Sequence, residues 1–223
     1  MAIKVPGFFS EFHGKTKSSK DSRFEKCMAY VLFIASSLTP GTLIKNVFFN
    51  NKHNRATFIN CYVFFKTGLS IFLAISGFNL LTGPAQYWMV WLLAYLSWET
   101  VIYNLTQIVY HDFFNQISSF KRNIFLSFAN YAEIVFNFSI FYRAMDAVVT
   151  NCNVPPNALN WIDYLYVSMG AGGIISYGNY TIVSVGGKSL MIIQSALFIL
   201  ALSLFITFNV SLLINSKVST PGK

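Results

Sequence analysis

Charge is what this sequence has least of. Only 11% of its 223 residues are Asp, Glu, Lys or Arg, while 54% are hydrophobic and 17% aromatic. Soluble globular proteins carry about 25% charged residues. The one long polar stretch is the N-terminus, residues 1–26, which leaves no room for a soluble catalytic domain. The composition therefore predicts an integral membrane protein.

Residue patterns that carry enzyme chemistry are also scarce. There are three histidines and three cysteines, scattered without the spacing of a metal site: His13, His53, His111, Cys27, Cys61 and Cys152. No Ser-His-Asp order and no phosphate-binding loop is present. We therefore expect neither an enzyme nor a cofactor. No apolar run repeats Arg or Lys at every third residue, which excludes a voltage sensor.

Long apolar runs are what the sequence does have. A helix needs about 20 apolar residues to cross a bilayer, and the runs 58–83, 86–110, 123–143 and 188–214 are each near that length. Gly83 and Pro84 predict a tight turn between the first two. The fold class predicted is all-α, a polytopic membrane protein with four transmembrane helices.

The basic residues behind the net charge of +8 predict how the chain is oriented in the membrane. Basic residues concentrate in the N-terminus, in the 45–57 loop and, as Lys121 and Arg122, after the second run. Because cytoplasmic loops are enriched in Lys and Arg, we place these segments and both termini in the cytoplasm, and 144–187 outside. The basic N-terminus should contact anionic lipid headgroups, and nucleic acid is not an expected partner.

The run 27–44 is almost long enough to cross, but crossing would place basic residues outside. We therefore interpret 1–57 as a cytoplasmic N-terminus with an in-plane or re-entrant amphipathic helix, broken near Pro40 and Gly41. A fifth transmembrane helix is the alternative.

Glycines concentrate before the last apolar run. Six of the thirteen lie between Gly170 and Gly187. Non-helical backbone beside a membrane span is tolerated where it is buried in protein or lines a water-filled cavity. Upstream, Asn160 or Asp163 could cap a short helix over 161–171. The order predicts a re-entrant pore loop at 160–180; close packing of helices through small residues is the alternative.

Residues 163–180, DYLYVSMGAGGIISYGNY, resemble the pore loop of tetrameric potassium channels and their relatives. The family filter, Thr-Val-Gly-Tyr-Gly-Asp, falls on Ile174, Ile175, Ser176, Tyr177, Gly178 and Asn179. The resemblance implies a pore module over 123–214 and a homotetramer. It also implies that potassium or another monovalent cation contacts the carbonyls of Ile174 to Gly178, with Asn179 at the pore mouth.

Three departures from the family pattern affect selectivity. Ile174 lacks the threonine hydroxyl, and Ser176 replaces a glycine that often adopts left-handed dihedral angles. Asn179 removes a ring of carboxylates from the mouth. Strict potassium selectivity therefore does not follow from the resemblance, and two alternatives stay open: a less selective cation path, or a filter that does not conduct in this shape.

On the predicted inner helix, Leu200, Ser203, Thr207 and Ser211 share one face and could line the cavity below the filter. Alternatively, the hydroxyls bond to carbonyls of their own helix. Phe198 stands near the position of the family's hinge glycine, so bending there is not expected.

Three charged residues interrupt the apolar runs: Lys66, Glu99 and Glu133. Charges at membrane depth usually face the protein interior and pair with one another. A rise of 1.5 Å per residue places all three at similar depths. We predict that Lys66 pairs with Glu99, Glu133 or both; extension of Lys66 to the cytoplasmic interface is the alternative.

The function predicted is a homotetrameric cation channel that is not voltage-gated, with residues 58–110 as an accessory two-helix hairpin. Two alternatives stay open. One is a membrane assembly protein that has a channel-like fold but does not conduct. The other is a small transporter whose site is built on Glu99 and Glu133.

Overall fold

A computed structural model describes residues 52–76, 85–109, 120–145, 148–150, 159–173, 180–182 and 184–218, with a few single positions between 27 and 39. Seven elements lie in these ranges: α1 (Lys52–Ser76), α2 (Ala85–Val109), α3 (Phe120–Ala144), β1 (Val148–Thr150), α4 (Trp161–Ala171), β2 (Tyr180–Ile182) and α5 (Val185–Val218). The prediction of an all-α protein is confirmed, since the two strands have three residues each.

Helix α3 is the centre of the structure and packs against each of the other four helices. Its face toward them is almost wholly buried, and the core that it forms includes Phe138 and Tyr142 of α3, Leu93 of α2 and Val167 of α4. Polar side chains are buried along the same helix, among them Glu133 and Asn137. The middle of the protein is therefore partly polar, and its outer helix faces are apolar.

Three helices of the described part are long and apolar enough to cross a membrane, over 57–76 in α1, 124–144 in α3 and 185–203 in α5. This finding supports the prediction of a membrane protein. Helix α2 occupies the second predicted run, 86–110, and has 25 residues, but it is not one of these three helices. Its outward face is rich in aromatic side chains, with Trp88, Trp91 and Trp98 exposed.

The helices begin earlier than the apolar runs predict. Helices α1, α3 and α5 begin at Lys52, Phe120 and Val185, whereas the runs begin at 58, 123 and 188. The physical reason is that polar residues next to an apolar run can also be helical, so the helix extends beyond the apolar run to the next turn or loop. Charged residues such as Arg122 and Lys188 therefore belong to the first turns of helices.

Of the run 27–44, the structure describes six positions, and Val31, Leu32 and Ile34 among them are helical. The prediction that this run lies in the membrane plane or re-enters it falls outside the described residues.

Strands β1 and β2 form an antiparallel pair that the sequence did not predict. Val148 pairs with Ile182, and Thr150 pairs with Tyr180. Since β1 follows α3 and β2 precedes α5, the pair joins the end of α3 to the start of α5. It also places Tyr180 beside Thr150, a few residues after the end of α3.

Candidate functional site

The short helix α4 begins with a reciprocal cap. The Asn160 side-chain oxygen accepts from the backbone N–H groups of Ile162 at 2.8 Å and Asp163 at 3.3 Å, and an Asp163 carboxylate oxygen accepts from the Asn160 N–H at 2.7 Å. Such a capping box satisfies amides that the first helical turn leaves free. The predicted helix over 161–171 and its cap are confirmed. The Tyr180 hydroxyl donates to the other Asp163 oxygen at 2.6 Å, which ties β2 to the start of α4.

Helix α4 lies along α3 and points toward its middle. At the first end, Tyr164 lies under Arg143, whose guanidinium carbon is 5.8 Å from the ring centroid. At the other end, the Tyr131 hydroxyl donates to the Gly172 carbonyl at 3.2 Å. Tyr131 is thirteen residues before the end of α3 at Ala144, about 20 Å along the helix axis. The C-terminal end of α4 is therefore level with the middle of α3.

Gln194 of α5 connects α4 to both long helices around it. Its side-chain nitrogen donates to the Ser168 carbonyl and hydroxyl oxygens, each at 2.9 Å, and its oxygen accepts from the Tyr142 hydroxyl at 3.0 Å. The Ser168 hydroxyl in turn donates to the Val135 carbonyl at 2.7 Å. Both Gln194 and Ser168 are buried. Sequence reasoning missed this network, although a glutamine within an otherwise apolar helix was a signal for a buried partner.

Two glycines are required where α4 ends. Gly173 has a φ of +77°, which side chains other than glycine rarely adopt. A Cβ atom there would lie 2.9 Å from the Phe198 ring, and one on Gly172 would lie 2.5 Å from the Tyr131 hydroxyl. Phe198 of α5 therefore lies against the turn after α4. Its ring centroid lies 5.6 Å from that of Tyr131.

The predicted filter residues, Ile174, Ile175, Ser176, Tyr177, Gly178 and Asn179, lie outside the described residues. Of the predicted cavity face, Leu200 is half-buried and Ser203 is exposed on the chain, and the side chains of Thr207 and Ser211 fall outside the described part. The structure describes the elements on either side of residues 174–179, which are α4 before them and β2 after them.

A second site lies among α1, α2 and α3. Lys66 contacts both predicted carboxylates, with its Nζ 3.2 Å from an oxygen of Glu133 and 3.6 Å from one of Glu99. It also donates to the Thr100 hydroxyl at 2.6 Å and to the Leu96 carbonyl at 3.2 Å. Lys66 and Glu99 are 4% exposed and Glu133 is 0% exposed. The structure therefore brings the three charges together, and Lys66 does not extend to an interface.

Two uncharged side chains complete this site, and sequence reasoning missed both. The Tyr62 hydroxyl donates to a Glu99 oxygen at 2.7 Å. The Thr100 hydroxyl lies 3.1 and 3.0 Å from the two Glu133 oxygens. Tyr62 is one helical turn before Lys66, and Thr100 directly follows Glu99. Their positions next to charged residues could have indicated that these two hydroxyl groups face the same site. We call Tyr62, Lys66, Glu99, Thr100 and Glu133 the charged cluster.

The charged cluster is a buried ion-pair network with one more carboxylate than ammonium. With all groups ionised, its formal charge is −1, since one lysine faces two glutamates. Within the described residues, no group of three or more His, Cys, Asp or Glu side chains is arranged to hold a metal ion. The cluster holds opposite charges together in the buried interior between three helices.

Comparisons with models of known protein families, with curated proteins and with solved structures found no match to this chain.

Proposed function

We propose that this chain is a subunit of a homotetrameric cation channel that is not voltage-gated. The observation that carries the proposal is the path of α4. This helix begins beside the C-terminal end of α3, contacts Val135 through Ser168, and ends beside Tyr131. Helix α4 extends along half of α3 and ends there, between α3 and α5, which are long enough to cross a membrane. A pore helix has this arrangement.

Lengths support this reading. The 11 residues of α4 extend about 17 Å, roughly half of the 30 Å hydrocarbon core. From Gly173 the chain returns to β2 at Tyr180, which pairs with Thr150 just beyond α3. Seven residues of extended chain reach about 23 Å, enough to return to the starting level. Residues 174–179 therefore have the length for an extended filter segment.

The chemistry proposed is coordination by backbone dipoles. Carbonyl oxygens of Ile174 to Gly178 would replace the hydration shell of a monovalent cation, and the C-terminal end of α4 would direct its partial negative charge toward the same region. The side chains at Ile174, Ser176 and Asn179 differ from those of a strictly selective filter. We therefore propose a potassium-like pore that also admits sodium.

Each chain has one such loop, so four copies are needed to surround an ion. Helix α5 presents an exposed apolar face, which includes Ile192, Ile199 and Ile206, and four copies could bury parts of it against one another. We propose four crossings per chain, with α2 as the fourth, both termini in the cytoplasm, and a basic N-terminus on anionic lipid.

The number of subunits tests this proposal. Native mass measurement of the purified protein in lipid nanodiscs should give a tetramer, and averaged particle images should show a fourfold ring. A monomer or a dimer would contradict a pore of this kind. Ser76→Ala in α1 removes a hydroxyl that donates to the Phe72 carbonyl of its own helix, away from α4 and α5, and as a control it should leave the number of subunits unchanged.

A transporter is the second candidate, and the charged cluster is the observation that favours it. Ionisable side chains inside a membrane bundle often mark ion pathways, and buried glutamates serve as proton relays in pumps and transporters. Ion uptake by liposomes would separate the two functions. Flux that saturates with substrate and requires a proton gradient would favour the transporter. Passive flux that persists in Glu133→Gln would favour the channel, and a stable tetramer without any flux would favour a non-conducting assembly protein.

A further inference from the structure

Two buried oxygen atoms in the bundle of α1, α2 and α3 are unpaired. Within the part of the chain that the structure describes, the Ser70 hydroxyl of α1 and the Asn137 side-chain oxygen of α3 have no hydrogen-bond partner. Both residues are 0% exposed. Buried polar atoms in proteins are almost always paired with other protein groups or with ordered water. These two atoms therefore indicate a bound group that completes their hydrogen bonds.

The Ser70 hydroxyl differs from two neighbouring hydroxyls in the same bundle. The Thr67 hydroxyl donates to the carbonyl four residues earlier at 2.9 Å, and the Thr100 hydroxyl does the same at 3.2 Å. Serine and threonine side chains in helices often make this bond. For Ser70 the acceptor would be the Lys66 carbonyl, but the Ser70 hydroxyl does not bond to it. The Ser70 hydroxyl can therefore bond to a group between the helices.

Ser70 and Asn137 lie at one level of the bundle and face its interior. Helices α1 and α3 run in the same direction, because the residues in contact between them have rising numbers along both helices. Lys66 contacts Glu133 at 3.2 Å. Ser70 and Asn137 follow these two residues by four positions, and residues four apart share a helix face. The two unpaired oxygen atoms therefore belong to the next layer of the same interface.

Helix α2 brings a third polar group to this layer. The Ser97 hydroxyl oxygen accepts from the Asn137 side-chain nitrogen at 2.9 Å, and Ser97 is buried. A hydroxyl can also donate its own hydrogen, whereas an amide oxygen can only accept. We call Ser70, Ser97 and Asn137 the polar layer. A group bound there must be able both to donate and to accept hydrogen bonds.

Buried apolar side chains lie on both sides of the polar layer. One turn farther in the direction of α1, each of the three helices contributes one residue to the main hydrophobic core: Ala74, Leu93 and Phe141. In the other direction, before the charged cluster, α1 and α3 pack through a smaller apolar cluster: Val63, Leu126 and Ala129. A group in the polar layer is therefore enclosed within the bundle and must be small.

We propose that the polar layer binds one internal water molecule. The water donates a hydrogen to the Asn137 oxygen and bonds to the Ser70 and Ser97 hydroxyls. It then has about three hydrogen bonds, as buried water molecules typically do. A calcium or magnesium ion takes six or more oxygen ligands, whereas the polar layer offers three. The site uses no residue of the proposed pore, so it does not depend on channel function.

Thermal unfolding of the full chain in detergent tests the proposal through the sign of one effect. Ser70→Ala should lower the melting temperature, because the bound water loses a partner. If no water is bound, Ser70→Ala should raise the melting temperature, because it removes a buried hydroxyl that has no partner. Ser139→Ala is the matched control, since the buried Ser139 hydroxyl donates to the Phe136 carbonyl of its own helix at 2.7 Å. This control should change the melting temperature little.

A double-mutant cycle tests whether Ser70 and Asn137 bind the same water. Their oxygen atoms do not bond to each other, so a direct hydrogen bond cannot couple them. Asn137→Leu should lower the melting temperature, and adding Ser70→Ala should lower it by less than Ser70→Ala does alone, because the water is already lost. Ser139→Ala with Ser70→Ala should give additive changes. Additive changes for Ser70→Ala with Asn137→Leu would contradict a shared water.

A structure of the wild-type chain in nanodiscs, at a resolution that shows ordered water, decides the question if the variants fail to fold. One density peak should lie about 2.7–3.2 Å from both the Ser70 hydroxyl and the Asn137 oxygen. A Ser70 hydroxyl bonded to the Lys66 carbonyl, without such a peak, would overturn the proposal. A peak with several oxygen atoms at about 2.3–2.6 Å would also overturn it, because those are metal-ligand distances.

Discussion

The Gln194 side-chain nitrogen in α5 donates to both oxygen atoms of Ser168 in α4, at 2.9 Å each. Through this one side chain, the helix that would line a pore is joined to the helix that would support its filter. The Tyr142 hydroxyl of α3 completes the connection. The orientation of α4 therefore depends on a polar network inside an apolar bundle.

Gln194→Leu should destabilise the protein by about 1–3 kcal/mol, because the Tyr142 hydroxyl and the Ser168 carbonyl lose a buried partner. Thermal unfolding in detergent measures this change. Ser189→Ala is the matched control on the same helix, since the exposed Ser189 hydroxyl donates to the Val185 carbonyl of its own helix. Equal melting temperatures for Gln194→Leu and wild type would show that the network has no structural role.

Gly173→Ala should destabilise the turn after α4 by about 1–2 kcal/mol, because alanine resists a φ of +77°. The added methyl group would also meet the Phe198 ring. In the double variant Gly173→Ala, Phe198→Leu, only the loss of stability that comes from the contact with the Phe198 ring should be recovered. Gly68→Ala is the control, since the space around Gly68 on α1 is open; that variant should be neutral or more stable. Equal effects of the two alanines would contradict the assigned turn.

Lys66→Met should destabilise the protein by about 3–5 kcal/mol, because two buried carboxylates lose their ammonium partner. Adding Glu99→Gln and Glu133→Gln to Lys66→Met should restore much of the loss, since the triple variant is uncharged. The midpoints of thermal unfolding for the single and triple variants measure both effects. If Lys66→Met unfolds like wild type, the charges are not coupled as the distances indicate.

Asn160→Ala should weaken the start of α4 by about 1 kcal/mol, because two backbone amides lose their acceptor. Asn160→Asp keeps an acceptor oxygen and should retain most of the stability. Hydrogen exchange of the Ile162 and Asp163 amides reports on this helix directly. Faster exchange in the alanine variant alone is the expected result, and equal exchange in both variants would count against the cap.

The sequence predicted the features that depend on local spacing. The helix over 161–171 followed from Asn160 and Asp163, because a cap satisfies amides within one turn. The meeting of Lys66 with Glu99 and Glu133 followed from the fixed rise of a helix, which sets depth. Neither inference required knowledge of how the helices rotate against one another.

Features that depend on packing were missed. Strands β1 and β2 have three residues each and lie far apart in the chain, too short to produce an alternating pattern. Gln194 finds Ser168 and Tyr142 only because α3, α4 and α5 meet at that point. The starts of α1 and α3 were misjudged because the helices continue through the polar residues 52–57 and the basic residues 121 and 122, beyond the apolar runs. The match of 174–179 to a filter stays a prediction.

Ion flux through the purified protein tests the central claim most directly. In liposomes, wild type should pass potassium and sodium and exclude large organic cations, and Ser176→Gly should increase the preference for potassium. Gly178→Asp, which alters a proposed coordinating position, should abolish flux while the protein stays tetrameric. Absence of flux for every cation from correctly assembled wild-type protein would contradict the account.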